Sequence, residues 1–171
     1  MSLILTGDDI RGLLKATPPL VTGILNIEEQ VQPNGIDLTV KEIASFSSSG
    51  SISYENKSRV LSNSSPLVFA DSGAIDLPAG CYLVTYNEVV HLPKNIMALG
   101  FPRSSLLRCG VSVHTAVWDA GYSGRSQSLL VIYNTNGFRL YRNARILQLV
   151  FFRLMQEVSQ GYKGIFQGEN I

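Results

Sequence analysis

Apolar residues change their spacing once along this chain, and the change separates a short helical start from a long β region. Ile10, Leu13 and Leu14 fall on one helical face. Thr6 stands ahead of them as a cap, with Asp8 and Asp9 where the helix dipole favours acids. Pro18-Pro19 ends the run, because proline lacks the N–H that would continue it. Beyond it, residues 21–27, 36–43, 81–86, 96–101, 129–133 and 146–154 are rich in β-branched and large apolar side chains, which predicts strands. Turn signals separate them, among them Pro33-Asn34-Gly35, Pro78-Ala79-Gly80, Pro93-Lys94-Asn95 and Asn136-Gly137. No second long amphipathic helix stands out. The expected architecture is an all-β barrel or jelly roll with the helix as an N-terminal appendage.

Residues 47–65 interrupt this pattern with a Ser-rich run that reads as a surface excursion, with a hairpin through Ile52 and Tyr54. The end of the chain breaks it again. Residues 161–171 hold three glycines, two aromatics and one lysine, which predicts a flexible tail beyond a single domain of residues 1–160. A Gly-rich tail with an aromatic can also order over a ligand as a lid. At 171 residues the chain is long enough for one domain with a substantial core. Its net charge of +1 gives no basic field for nucleic acid or for an anionic membrane, so a phosphate ligand must be held by a local cluster. No apolar run approaches the ~18 residues of a membrane span, and Met1-Ser2-Leu3-Ile4 lacks the basic start of a secretory signal. A cytoplasmic location is expected. Cys81 and Cys109 have no metal-like spacing and are expected as small buried hydrophobes.

Candidate chemistry concentrates in a few segments. Arg103, Ser104 and Ser105 follow Pro102 and offer a guanidinium fork and two hydroxyls, groups that match phosphate oxygens. Asp119 follows an apolar run at a Gly-rich turn, where it is either a general base toward water or a turn cap. Gly121 and Gly124 suit positive φ. Tyr122 belongs under a sugar or base, or in the core. Asp37 lies where a strand pattern starts, and is either part of a metal–water shell or a solvent-facing strand residue. Gln148 interrupts an apolar strand and needs a partner, from the core or from a ligand. His114 has no second histidine near it and reads as a core or supporting residue. The P-loop, dinucleotide and zinc-protease templates are absent.

In order, Gly35-Ile36-Asp37-Leu38, Pro102-Arg103-Ser104-Ser105-Leu106, Asp119-Ala120-Gly121-Tyr122-Ser123-Gly124, Arg145-Ile146-Leu147-Gln148-Leu149 and the Gly-rich aromatic tail resemble the motif set of the trimeric dUTPase and dCTP deaminase superfamily. The resemblance runs from about Leu5 to Gly168. Val113-His114-Thr115-Ala116 and Arg103 through Arg108 lean toward the dCTP deaminase branch, including archaeal-type dUTP diphosphatases. It implies a distorted jelly-roll subunit of the dUTPase-like β-clip kind and a homotrimer with active sites at subunit interfaces. It implies that Asp119 activates the water that attacks the α-phosphorus, and that Tyr122 packs under deoxyribose. Arg103, Ser104, Ser105 and Gln148 would hold phosphates, and Asp37 would position Mg²⁺ through water. Uracil would be read by backbone groups between Ser112 and Asp119. The tail departs from the usual dUTPase form, with Phe166 standing in over the base and Lys163 near the γ-phosphate.

One absence separates the branches. The deaminase branch carries a Glu just before an aromatic-Tyr-Asn segment, and here Val131 precedes Ile132-Tyr133-Asn134. No Glu lies between Asp119 and Asn134, and valine cannot relay a proton. The expected reaction is hydrolysis of dUTP to dUMP and pyrophosphate. The alternatives are a dCTP deaminase, or an inactive module that binds a nucleotide.

Overall fold

The computed structural model describes residues 3–171 and is mostly β. The chain begins with α1 (Gly7–Leu13), β1 (Val21–Thr22), α2 (Ile27–Gln30), β2 (Val31–Gln32) and β3 (Gly35–Phe46). It continues through β4 (Ser64–Leu67), β5 (Ala74–Leu77), β6 (Gly80–Tyr86), β7 (Val89–His91) and β8 (Ile96–Pro102). After α3 (Ser104–Arg108) come β9 (Val111–His114), β10 (Ser123–Gly124), β11 (Gln127–Ile132), β12 (Phe138–Tyr141) and β13 (Arg145–Arg153).

The main sheet runs β8-β13-β3-β6-β11-β9, with β2 and β4 also on β3, and every pairing is antiparallel. A bridge between Ala98 and Trp118 draws the segment after β9 back onto β8, so the sheet nearly closes on itself. Near-closure leaves few free edges. A small sheet β1-β7-β10 and the pair β12-β5 complete the fold.

β3 organises the middle of the molecule. Ile36, Leu38, Val40 and Ile43 of β3 are buried in the core together with Leu149 and Phe151 of β13 and Leu130 of β11. Asp37 and Thr39 alternate with Ile36, Leu38 and Val40 along the strand and are buried too, at 1% and 2% exposure. Buried polar groups need partners, and two segments supply them. Asn87 and Glu88, between β6 and β7, lie over Thr39, while Gln30 of α2 reaches the backbone of Asp37.

The helical start forms as its spacing predicts. Thr6 and Asp9 close a reciprocal capping box, which satisfies backbone donors at the start of α1. The six predicted strands are all present in some form, but residues 21–27 hold only the two-residue β1. Asn26 turns the rest into α2 by accepting from the N–H groups of Glu28 and Glu29, with both acids in the first turn. The Ser-rich excursion carries a Ser51–Val60 bridge around exposed Ile52 and Tyr54. Contrary to expectation, Cys81 and Cys109 are exposed and unpaired. His114 is also on the surface, with Nε2 2.9 Å from the Tyr133 hydroxyl. Among the described residues, no helix is long and apolar enough to cross a membrane.

Candidate active site

Asp119 stands exposed at the wall of a cavity of about 720 Å³. The Ala98–Trp118 bridge fixes the backbone just before it, and Trp118 is buried, donating from Nε1 to Ser126 Oγ at 3.0 Å. The turn that follows needs its glycines for different reasons. Gly121 has φ +85°, and a Cβ there would lie 2.7 Å from Gly161 Cα. Gly124 is not in the left-handed region; its missing side chain leaves room for Tyr122, whose hydroxyl would lie 2.6 Å from a Cβ. Tyr122 is 5% exposed and lines the cavity with Asp119, Gln127 and Phe166. Its ring meets Tyr162 edge-on, with centroids 5.7 Å apart, and its hydroxyl donates to Glu169 at 2.8 Å. Burial pushes the Tyr122 phenol well up, and the neighbouring Glu169 adds to this. Burial also raises the Glu169 carboxyl, with the Tyr122 hydrogen bond opposing it.

The tail is seated on this turn. Tyr162 N–H donates to Ala120 O at 2.9 Å, Gln167 Nε2 to Gly121 O at 3.0 Å, and Gly168 N–H to Ser123 O at 2.8 Å. Ser123 N–H in turn donates to Gln167 Oε1 at 3.0 Å. Phe166 reaches the cavity wall, with the Arg59 guanidinium 5.8 Å from its ring centroid. Lys163 is exposed and does not line the cavity.

A second cluster is built on β3, β13 and the end of β8. Asp37 and Gln148 are register partners across β3 and β13. Arg103 follows β8; its N–H donates to Ile146 O at 3.0 Å, and its Nε lies 3.1 Å from Asp37 Oδ2. Arg145 approaches the same oxygen at 3.6 Å and pairs with Glu29 at 3.3 Å. Asp37 Oδ2 is thus ion-paired yet accepts no well-directed hydrogen bond. Burial raises the Asp37 carboxyl, while Arg103 and then Arg145 pull it down. The solvent-facing alternative for Asp37 is ruled out by its 1% exposure. Ser104 and Ser105 are exposed on α3 beside this cluster, and the half-buried Gln148 amide has no partner within the chain among the described residues.

The predicted residues therefore fall into two groups. Asp119, Tyr122 and Phe166 share the cavity; Asp37, Arg103, Ser104, Ser105 and Gln148 lie outside its lining, as does Lys163. Among the described residues, no group of three or more His, Cys, Asp or Glu side chains is placed to hold a metal. Several residues were missed from sequence. Arg145 doubles the positive charge at Asp37, although it stands in the same segment as Gln148. Glu88 is fully buried and accepts from Thr39 N–H at 2.8 Å, Thr39 Oγ1 at 2.7 Å and Gln30 Nε2 at 2.7 Å. Burial nonetheless raises its carboxyl, outweighing those hydrogen bonds. An acid directly before Val89-Val90 was the available signal. Glu169 had none, because its partner Tyr122 is brought to it only by the fold.

Residues 4–154 match the family described as dCTP deaminase-like. A Methanosarcina acetivorans protein named probable deoxyuridine 5′-triphosphate nucleotidohydrolase is 49% identical over 167 residues, covering 98% of both chains. A Methanocaldococcus jannaschii protein named deoxyuridine 5′-triphosphate nucleotidohydrolase is 37% identical over 142 residues, covering 82% of this chain and 89% of that one. The crystal structure of 2′-deoxycytidine 5′-triphosphate deaminase from Agrobacterium tumefaciens shares the fold, with a TM-score of 0.64 at 22% identity, over 88% of this chain and 48% of that one. With most of its length matched by the family and by relatives well above 30% identity, this chain belongs to the dCTP deaminase-like family.

Proposed function

We propose that the chain is a dUTP diphosphatase that hydrolyses dUTP to dUMP and pyrophosphate. Two of the relatives compared above carry the name deoxyuridine 5′-triphosphate nucleotidohydrolase, one of them as probable. The observation that carries the reading is an exposed Asp119 on the wall of a cavity that also holds Tyr122 and Phe166. A carboxylate there can take a proton from water as the water oxygen bonds to the α-phosphorus. The bond from the α-phosphorus to the α–β bridging oxygen breaks, and pyrophosphate leaves with that oxygen. Tyr122 packs under deoxyribose and leaves no room for a 2′-hydroxyl, while the backbone between Ser112 and Asp119 reads uracil. Phe166 covers the base as the tail closes.

Arg103, Gln148, Ser104 and Ser105 hold the phosphates, and Lys163 lies near the γ-phosphate. The partnerless Gln148 amide and the exposed hydroxyls support this, since each retains hydrogen-bonding capacity for a ligand. Because this cluster does not line the Asp119 cavity, a site made of both would be completed by another copy of the chain; a homotrimer is what the resemblance to the trimeric superfamily implies for that assembly. Mg²⁺ would be carried by substrate phosphates and waters rather than by a protein cage; Asp37 Oδ2 is buried and already ion-paired with Arg103 and Arg145, so it does not fit as a direct ligand and would act only through water. Mg²⁺ would neutralise charge on the phosphates. A nucleotide substrate and two unpaired exposed cysteines fit a cytoplasmic setting.

Deamination of dCTP is disfavoured at β11. Val131 lies there, opposite Ser112 on one side and Cys81 on the other, and offers no proton relay. Asp119→Ala is the direct test: dUTP hydrolysis should fall by roughly 10²–10⁴-fold while dUTP binding persists. Undiminished hydrolysis would remove Asp119 as the base.

A further inference from the structure

Tyr122 is held from two directions by the tail of its own chain. Tyr162 packs edge-on against the ring, and Glu169 accepts from the hydroxyl at 2.8 Å. Gly124 removes the one Cβ that would crowd that hydroxyl. Glu169 is itself pinned on both sides. Arg125 N–H donates to Glu169 O at 2.9 Å, and Gly168 N–H donates to Ser123 O at 2.8 Å. Arg125 Nε donates to Asn170 O, and Asn170 Nδ2 to Arg125 O, each at 3.0 Å. The carboxylate lines the same cavity as Tyr122 and Asp119.

A phenol that is 5% exposed must find an acceptor; Glu169 accepts from it at 2.8 Å, with the Ser126 hydroxyl, already engaged by Trp118 Nε1, as a second neighbour. We infer that Glu169 is a positioning residue for sugar selection, fixing the Tyr122 ring so that a 2′-hydroxyl is refused. The inference rests on the reading of Tyr122 as the residue under deoxyribose. Its physical basis is that ring position sets the free space beneath the sugar. A ring anchored only by packing can shift toward water to satisfy its hydroxyl. A ring whose hydroxyl is held by a carboxyl oxygen at 2.8 Å resists that shift. Docking of the tail and discrimination against ribose are then one event, because the residue that fixes the ring arrives with the tail.

The test compares kcat/KM for dUTP and UTP in the wild type, Glu169→Gln, Glu169→Ala, Tyr122→Phe and the Tyr122→Phe/Glu169→Ala double variant. Loss of the hydrogen bond that holds the ring should lower the dUTP-over-UTP preference of Glu169→Ala roughly tenfold. Glu169→Gln, whose amide oxygen still accepts, should keep most of the preference. In the Tyr122→Phe background, Glu169→Ala should change the preference no further. An unchanged preference in Glu169→Ala, or an equal loss with and without the Tyr122 hydroxyl, would overturn the inference. Binding of α,β-imido-dUTP and its ribose counterpart by calorimetry gives the same comparison without turnover. A wild type that prefers the deoxy analogue but hydrolyses nothing would overturn the proposed function, and the variants would still test Glu169. A wild type with no deoxy preference in binding would overturn the role of Glu169.

Discussion

Replacing Glu88 with alanine removes an acceptor from a place that water does not reach. In the native structure Glu88 accepts from Thr39 N–H, Thr39 Oγ1 and Gln30 Nε2 at 2.7–2.8 Å, and it is 0% exposed. The Thr39 hydroxyl can rotate, and it already accepts from Asn87 Nδ2 at 2.9 Å. The Thr39 N–H and the Gln30 amide cannot escape. An orphaned buried donor costs about 1–3 kcal/mol, so two cost about 2–6 kcal/mol. Relief of the buried carboxylate offsets part of this, and the expected loss is about 2–4 kcal/mol from a domain stability of ~5–15 kcal/mol. For a chain of this size that is a fall in Tm of roughly 4–16 °C. Urea denaturation at matched protein concentration would measure it, the matching being needed because assembly adds to apparent stability. The sign with pH follows from burial raising the Glu88 carboxyl above its ordinary 4.5. Its stabilising contribution is full below that ordinary value and declines as pH rises through the folded one, so the gap between wild type and Glu88→Ala narrows toward alkaline pH. A loss below about 1 kcal/mol at pH 7 would refute the assignment of two stranded donors. A gap that widens with pH would refute the direction of the shift.

Arg103→Lys should weaken dUTP binding by at least tenfold, since a point charge replaces a planar fork, and steady-state KM would report it. Arg103→Ala should also leave Asp37 with Arg145 alone at 3.6 Å, adding a measurable stability loss in the same urea assay. Deletion of residues 161–171 should sharply lower turnover with the assembly intact by light scattering; unchanged kinetics would remove the lid.

The long strands were legible because β3, β6, β8, β11 and β13 carry enough apolar side chains to announce themselves locally. The capping box at Thr6 was legible for the same reason, as all its parts lie within one turn. What escaped depends on distant partners. Asp37 is acceptable inside the protein only because Arg103 and Arg145 are folded beside it, and no local pattern encodes that. Residues 24–27 look like a strand, yet the Asn26 cap and the acids after it decide for α2, a signal that the neighbouring isoleucines obscured. Cys81 and Cys109 have the composition of buried residues but lie on outward positions. The tail has no apolar periodicity at all; its place is set by backbone hydrogen bonds to the Asp119 turn. The site motifs were legible as types and order, but their division between two places in one chain required the fold.

Product analysis of the purified protein with Mg²⁺ and, separately, dUTP, dCTP, dTTP and UTP tests the central claim most directly. The account predicts dUMP and pyrophosphate from dUTP, with no uracil nucleotide formed from dCTP and UTP left intact. Ammonia released from dCTP, or no product from any of the nucleotides, would contradict it.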